Sequence, residues 1–174
     1  MTLQFAEKIN NNLTFFIGKI LNGLIQSGNI SEMTYTDFRF DSEFYDFLPD
    51  NLGVFLPKIH TVRNSDTKFK VGTKIHFKQW TGRPYHSKNM NFAPIAYVKS
   101  VQNIKVLEFL MTNSDTSFQM PDNTIYGIEI DGIRQNKQQI HNIAINDGFV
   151  HEVEFFKYFK RFEGKIIHWT DVSY

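Results

Sequence analysis

Lys58-Ile59-His60-Thr61-Val62-Arg63 is the stretch on which the reading of this chain turns. Pro57 precedes it and a polar turn at 64–67 follows, so the six residues read as a short strand between two breaks. In a strand Thr61 and Arg63 share a face, while Lys58 starts on the opposite parity. Bringing Lys58 and Thr61 to one place therefore requires a twist or bulge at Lys58, which Pro57 permits. Two distant segments answer it. Ile145-Asn146-Asp147-Gly148-Phe149 reads as a loop that presents a carboxylate before a helix, and His168-Trp169-Thr170-Asp171 belongs to a closing strand.

Immediately downstream, residues 69–80 read as a hairpin turning at Val71-Gly72-Thr73, with Ile75, Phe77 and Gln79 alternating against His76, Lys78 and Trp80. A loop at 81–91 carries Gly82, Arg83, Pro84, Tyr85, His86 and Lys88. Residues 58–88 hold eight Lys or Arg and one acid, Asp66, whereas residues 31–50 hold six acids and one base, Arg39. The net charge of +1 hides a basic arm and an acidic arm.

Upstream, residues 1–5 read as an edge strand. From about Leu13 to Gln26, Leu13, Phe16, Ile17, Ile20, Leu21 and Leu24 form a helical apolar stripe. Thr14 or the Asn run before it caps the start, and Gly28 stops it. Residues 24–56 look like an insertion in which Tyr35, Phe38, Phe40, Phe44, Tyr45 and Phe47 alternate with acids. Asp41 or Ser42 caps a short helix there that ends before Pro49. The acidic segment 31–50 is a candidate cover for the basic strand or a surface for a protein partner.

Beyond the hairpin, 92–111 is β-rich, 113–123 is a polar loop and 125–130 is a strand. Residues 132–142 read as a surface turn or short helix. A helix over about 150–162, buried through Val153, Phe156, Phe159 and Phe162, stops at Gly164, and 165–174 closes the chain as a strand. No repeat or linker divides the 174 residues, so 1–174 is expected to be one α+β domain, a small mixed β-barrel with flanking helices. The absence of Cys excludes disulfides, thiolate metal sites and a Cys nucleophile, and fits a cytoplasmic protein. No apolar run approaches the roughly 18 residues of a membrane helix, and no signal peptide is evident, so no membrane partner is expected.

The order of these pieces resembles the ASCH domain family of the PUA-like β-barrel superfamily. The residues that carry the likeness are Ile20-Leu21-Asn22-Gly23, the 58–63 strand, Phe69-Lys70-Val71-Gly72-Thr73-Lys74-Ile75-His76-Phe77, Ile143 to Phe149, Glu154-Phe155-Phe156 and Ile166-Ile167-His168-Trp169-Thr170-Asp171. It spans most of 13–174, and the segment 24–56 departs from the family's tight helix-to-strand turn. The resemblance implies a barrel whose cleft faces RNA, single-stranded nucleic acid or a modified nucleoside. Some members act as amidohydrolases on acetylated cytidine, with a Lys-x-x-Thr-x-Arg strand and a later Glu. Lys58, Thr61 and Arg63 match that strand, and Asp147 stands where the Glu is expected, one methylene shorter.

Amide hydrolysis needs an activated water or hydroxyl, a proton shuttle and an oxyanion partner. Thr61 is a candidate nucleophile or water-orienting group. Lys58 is a base if its pKa is lowered and a charge stabiliser if it is not, and Asp147 relays the proton. Nucleic-acid or nucleoside binding asks for cations and stacking rings. Lys58, Arg63, Lys74, Lys78 and Arg83, with Lys88, supply the first and Trp80 and Tyr85 the second. The six His, at 60, 76, 86, 141, 151 and 168, show no paired ligand spacing, so no metal and no cofactor are expected. His168 and Trp169 read as packing and hydrogen-bonding residues.

Overall fold

A computed structural model describes residues 1–9, 12–109 and 115–174. In chain order the strands are β1 (Thr2–Phe5), β2 (Lys8–Ile9), β3 (Asn12–Leu13), β4 (His60–Asn64), β5 (Lys74–Trp80), β6 (Asn89–Asn91), β7 (Ala96–Tyr97), β8 (Ser100–Phe109), β9 (Phe118–Gln119), β10 (Ile125–Ile130), β11 (Ile133–Arg134) and β12 (Phe162–His168). The helices are α1 (Phe16–Gln26), α2 (Glu32–Phe40), α3 (Lys137–Asn146) and α4 (Glu152–Tyr158). The chain is therefore α+β, as its pattern predicts. No helix among the described residues is long and apolar enough to cross a membrane.

One sheet runs β1-β5-β6, with β7 also on β5; the other runs β11-β10-β8-β12-β4. Residues 96–109 tie them together, because β7 pairs with β5 and β8 pairs with β12 and β10. β12 separates two cores. Ile167 and Trp169 pack with α1, β1 and β5, whereas Ile166 packs with α3, α4 and β10. Residue parity along one strand thus feeds two apolar layers.

The expected barrel does not close. β4 and β1 end their respective sheets, and no backbone ladder joins them. What crosses the gap is a side chain: Arg63 Nη2 donates to the Gln4 carbonyl at 3.1 Å, and its guanidinium lies 5.1 Å from the Phe5 ring. The Val62 amide does not bond a neighbouring strand; it donates to a carboxylate. We call this gap the seam.

Several local expectations shift. The α1 stripe is real, but Leu13 is half exposed in β3 and the helix begins at Phe16, with Phe15 at φ 53° as its uncapped N-terminal residue. Thr14 instead holds the loop, its hydroxyl donating to the Ala6 carbonyl at 2.8 Å. The short helix expected before Pro49 is a single turn of 3-10 helix at Tyr45–Phe47 that neither Asp41 nor Ser42 caps, and the insertion carries a further helix, α2, capped by Ser31. Residues 69–73 form a turn without a first strand arm, since Phe69 is buried in the core and Gly72 N–H bonds Val98. β5 therefore finds its partners in β1, β7 and the strand that follows it, antiparallel β6, rather than in 69–73. Gly164 lies inside β12, and the helix before it ends at Tyr158. The predicted β-rich stretch 92–111 and polar loop 113–123 fall partly outside the described residues; within them lie β8 and β9.

Candidate functional site

Lys58 does not belong to β4. It lies in the entry segment, where its N–H donates to the Lys19 carbonyl of α1 at 2.8 Å and the next N–H, of Ile59, donates to the Asn146 carbonyl of α3 at 3.0 Å. Pinned between two helices, the segment is freed from strand parity, so Lys58 and Thr61 reach the same place without a bulge. The approach of α1 requires Gly23, because a Cβ there would fall on the Lys58 carbonyl.

Asp147 arrives from the other side as the C-terminal cap of α3. Gly148 follows at φ 91°, a conformation that suits glycine, and a side chain there would meet the Phe16 ring and the Lys58 stem. The Gly148 carbonyl is held by Lys19 Nζ at 2.6 Å. Behind this turn, Phe149, Phe155 and Phe159 pack ring against ring, with centroids 4.9–6.0 Å apart. Burying each such ring contributes about 1.5–3 kcal/mol, enough to fix the turn that carries the carboxylate.

At the meeting point Lys58 is 1% exposed and Asp147 4%. Lys58 Nζ donates to Asp147 Oδ1 at 2.6 Å and to the Asp147 carbonyl, and it lies 5.0 Å from the Phe16 ring. Asp147 Oδ1 also accepts the Val62 N–H at 3.0 Å. One carboxylate oxygen thus carries both bonds, leaving Oδ2 with no hydrogen bond among the described residues. Burial drives the Lys58 ammonium down to about 8, against the opposing pull of Asp147. Burial likewise raises the Asp147 carboxyl above its ordinary value, with Lys58 opposing. Burial thus moves the two groups' proton affinities toward each other, the direction that suits acid–base work.

Thr61 is buried, and its hydroxyl has no hydrogen-bond partner among the described residues. Arg63 shares its face, as strand parity requires, and burial lowers its pKa. Lys58, Thr61, Arg63 and Asp147 line one cavity of about 150 Å³ that opens at the seam between Gln4, Phe5 and Val62. A second hollow of about 200 Å³, lined by Lys19, Glu154 and Lys157, shares Ile9, Phe16 and Phe149 with it. The first alone is smaller than ordinary ligand sites, which occupy roughly 300–1000 Å³, and the two together reach the lower end of that range.

The remaining binding candidates are elsewhere. Ile75 and Phe77 of β5 face the core, so Lys74, Lys78 and Trp80 take the opposite face. Arg83 and Tyr85 lie in the loop beyond, where Tyr85 is 87% exposed and its ring stands 5.4 Å from Trp80. None of these five lines the seam cavity. The acidic segment does not cover it either. The segment packs into the α1 core through Tyr35, Phe44 and Leu48, and meets the basic loop through Glu43 and Lys88 at 3.2 Å.

The sequence reading missed a second polar cluster. His60 and His168 are cross-strand partners, with ring centroids 5.2 Å apart, and Tyr174 Oη sits 3.2 Å from His60 Nδ1. Both imidazoles are fully buried, and burial drives His60 well below its ordinary value and His168 down to about 4. The β4–β12 register would have revealed them, because antiparallel pairing of 60–64 with 164–168 sets the two His opposite. Among the described residues, no group of three or more His, Cys, Asp or Glu could hold a metal ion.

No family model matches the chain, and neither does any curated protein or solved structure. What the seam can do is therefore a matter of its own atoms.

Proposed function

We propose that the chain is an ASCH-type, PUA-like domain that takes a modified nucleoside at the seam, and that the site is equipped to hydrolyse an exocyclic amide such as that of an acylated cytidine. The observation that carries this reading is the convergence of Lys58, Thr61 and Asp147 on one small buried cavity. A phosphate-tracking groove would present free cations; here the central cation is already neutralised by Asp147. The cavity admits one small group rather than a run of backbone, which favours a nucleoside over a polymer.

Lys58 Nζ gives two of its three N–H donors to Asp147, so the carboxylate serves as base and the ammonium, with one donor left, as charge stabiliser. Asp147 Oδ2 takes a proton from a water oriented by the Thr61 hydroxyl. The water oxygen adds to the acyl carbon, and Lys58 stabilises the oxyanion. Collapse breaks the bond between carbon and exocyclic nitrogen, and Asp147 returns the proton to the leaving amine. The products are the free base amine and a carboxylic acid.

Incubation with acylated cytidines tests this. Turnover is expected, falling by about 10²–10⁴ in Asp147→Asn, with a clear loss in Thr61→Val. Because the ionised pair is the active form, the rate falls above about 8 as Lys58 deprotonates, and falls in acid as Asp147 protonates. Binding without turnover reduces the proposal to a nucleoside-binding module. Neither binding nor turnover removes it.

A second reading has its own observation. The pair of half-buried Trp80 and exposed Tyr85, beside Lys74, Lys78 and Arg83, suits single-stranded RNA or DNA on the outer face of β5. Salt-titrated binding separates the two, since phosphate contacts weaken steeply with salt.

A further inference from the structure

A separate cavity of about 350 Å³ opens where the insertion meets the start of α1. Its size lies within the roughly 300–1000 Å³ of small-molecule sites. Phe15, Phe47 and Phe55 line it with Leu13, and its ionisable lining groups are two carboxylates, Glu7 and Asp46. Phe15 and Phe47 are each 54% exposed. Phe15 is held at φ 53°, a region that bulky side chains avoid, and its ring stands 6.1 Å from Phe55 at 35°. Strain that keeps an aromatic ring in water calls for a use.

Five other rings already have a cation beside them, among them Phe16 of this same lining, 5.0 Å from Lys58 Nζ. Arg39 lies 4.0 Å from the Tyr45 ring, Arg134 4.5 Å from Phe109, Arg63 5.1 Å from Phe5 and Lys88 5.9 Å from Phe44. Among the described residues no cation lies over Phe15, Phe47 or Phe55, and neither Glu7 nor Asp46 has an ion-pair partner. Three rings without a cation and two uncompensated carboxylates around one hollow describe the complement of a positive charge with an apolar shell.

We propose that this cavity binds a small organic cation of the quaternary or alkylammonium class. Ring faces attract such a cation through their quadrupole, and a methylated ammonium is weakly enough hydrated to leave water for them. An anion meets only like charge here, and a neutral apolar ligand gains nothing from Glu7 and Asp46. The concave volume fits a free small molecule rather than a flat protein face. The site does not involve Lys58, Thr61 or Asp147, so it stands independently of the seam chemistry.

Choline and its neutral isostere 3,3-dimethyl-1-butanol, titrated into the intact protein, provide the test. The readouts are calorimetry and the N-methyl proton resonance. Saturable choline binding is expected, with an upfield ring-current shift and about tenfold weaker binding of the alcohol. Asp46→Asn and Phe47→Leu, both at exposed positions, each weaken binding several-fold with unchanged unfolding midpoints. Absent saturation overturns the proposal. So does equal affinity for the alcohol, which leaves only an apolar groove, or indifference to both substitutions, which moves the ligand elsewhere. Binding of a lysine-bearing peptide without binding of choline replaces it with a protein-docking surface.

Discussion

Lys58 and Lys74 are the same side chain in two physical states, and they stand for two regions of the molecule. Lys58 is withdrawn from water, paired with Asp147 and pinned by two helices. Lys74 is exposed on β5, beside Lys78, Trp80 and the loop that carries Arg83 and Tyr85. A charge count treats the regions alike, since both contribute to the basic run 58–88. Burial makes one a coupled ion pair whose members control each other's ionisation. The other is a solvated face where charge acts at long range and is screened by salt.

The sharpest way to break that contrast is to remove one member of the buried pair. Lys58→Met leaves a buried carboxylate without its cation and is expected to cost about 3–5 kcal/mol in urea unfolding. Adding Asp147→Leu should recover much of the loss. A double variant as unstable as the single would mean that the seam is held by something other than the pair.

Acid provides the next effect. The unfolded chain takes up protons on its histidines near 6.5, whereas folded His168 resists until about 4, and His60 is depressed too. Between those values the unfolded state binds more protons, so stability is complete above about 6.5 and is lost as pH falls toward 4. For His168 alone the loss is on the order of 3 kcal/mol. Urea midpoints measured across this range should slope, and His168→Asn should flatten the slope. A profile unchanged by that substitution would assign acid sensitivity to other groups.

Gly148→Ala is expected to cost about 1–3 kcal/mol, because the positive φ and the contacts with Phe16 and Lys58 both resist a Cβ. If the seam hydrolyses the proposed amide, turnover should fall more than stability, since Asp147 moves with the turn. On the exposed face, Tyr85→Ala should change stability by less than about 0.5 kcal/mol. If the outer surface binds single strands, it should weaken that binding by about 1–3 kcal/mol. A comparable stability loss there would erase the distinction between the regions.

The parts of this architecture legible in the sequence are those with a local physical signature. The stripe of α1, the strand at 125–130, the carboxylate turn at 147 and the 58–63 segment announce themselves by periodicity and turn chemistry. The convergence of Lys58, Thr61 and Asp147 was readable from the order of segments, though the route was not. A parity argument asked for a bulge, and the chain solves the problem by placing Lys58 outside the strand. The hairpin at 69–80 failed because alternation in β5 says that a strand exists but not which strand it joins. The seam and the His60–His168 pair were invisible for the same reason, since both depend on pairing between residues about 60 to 110 positions apart. The count of cations over 58–88 was correct as composition and misleading as a single site, because Lys58 and Arg63 lie at the seam whereas Lys74 and Lys78 lie on the outer face of β5 in the other sheet.

The carboxylate of Asp147 has a consequence beyond chemistry. A strand edge with free amides is a template on which another chain can add a strand. At β4 the outward Val62 amide is already engaged by Asp147, and Arg63 reaches across to Gln4 where a foreign strand would have to lie. Side chains thus deny the edge to other polypeptides while leaving a gap that a small molecule can enter. Sealing the strands into a full ring would protect against self-association and abolish the entrance; this molecule keeps the entrance and guards it.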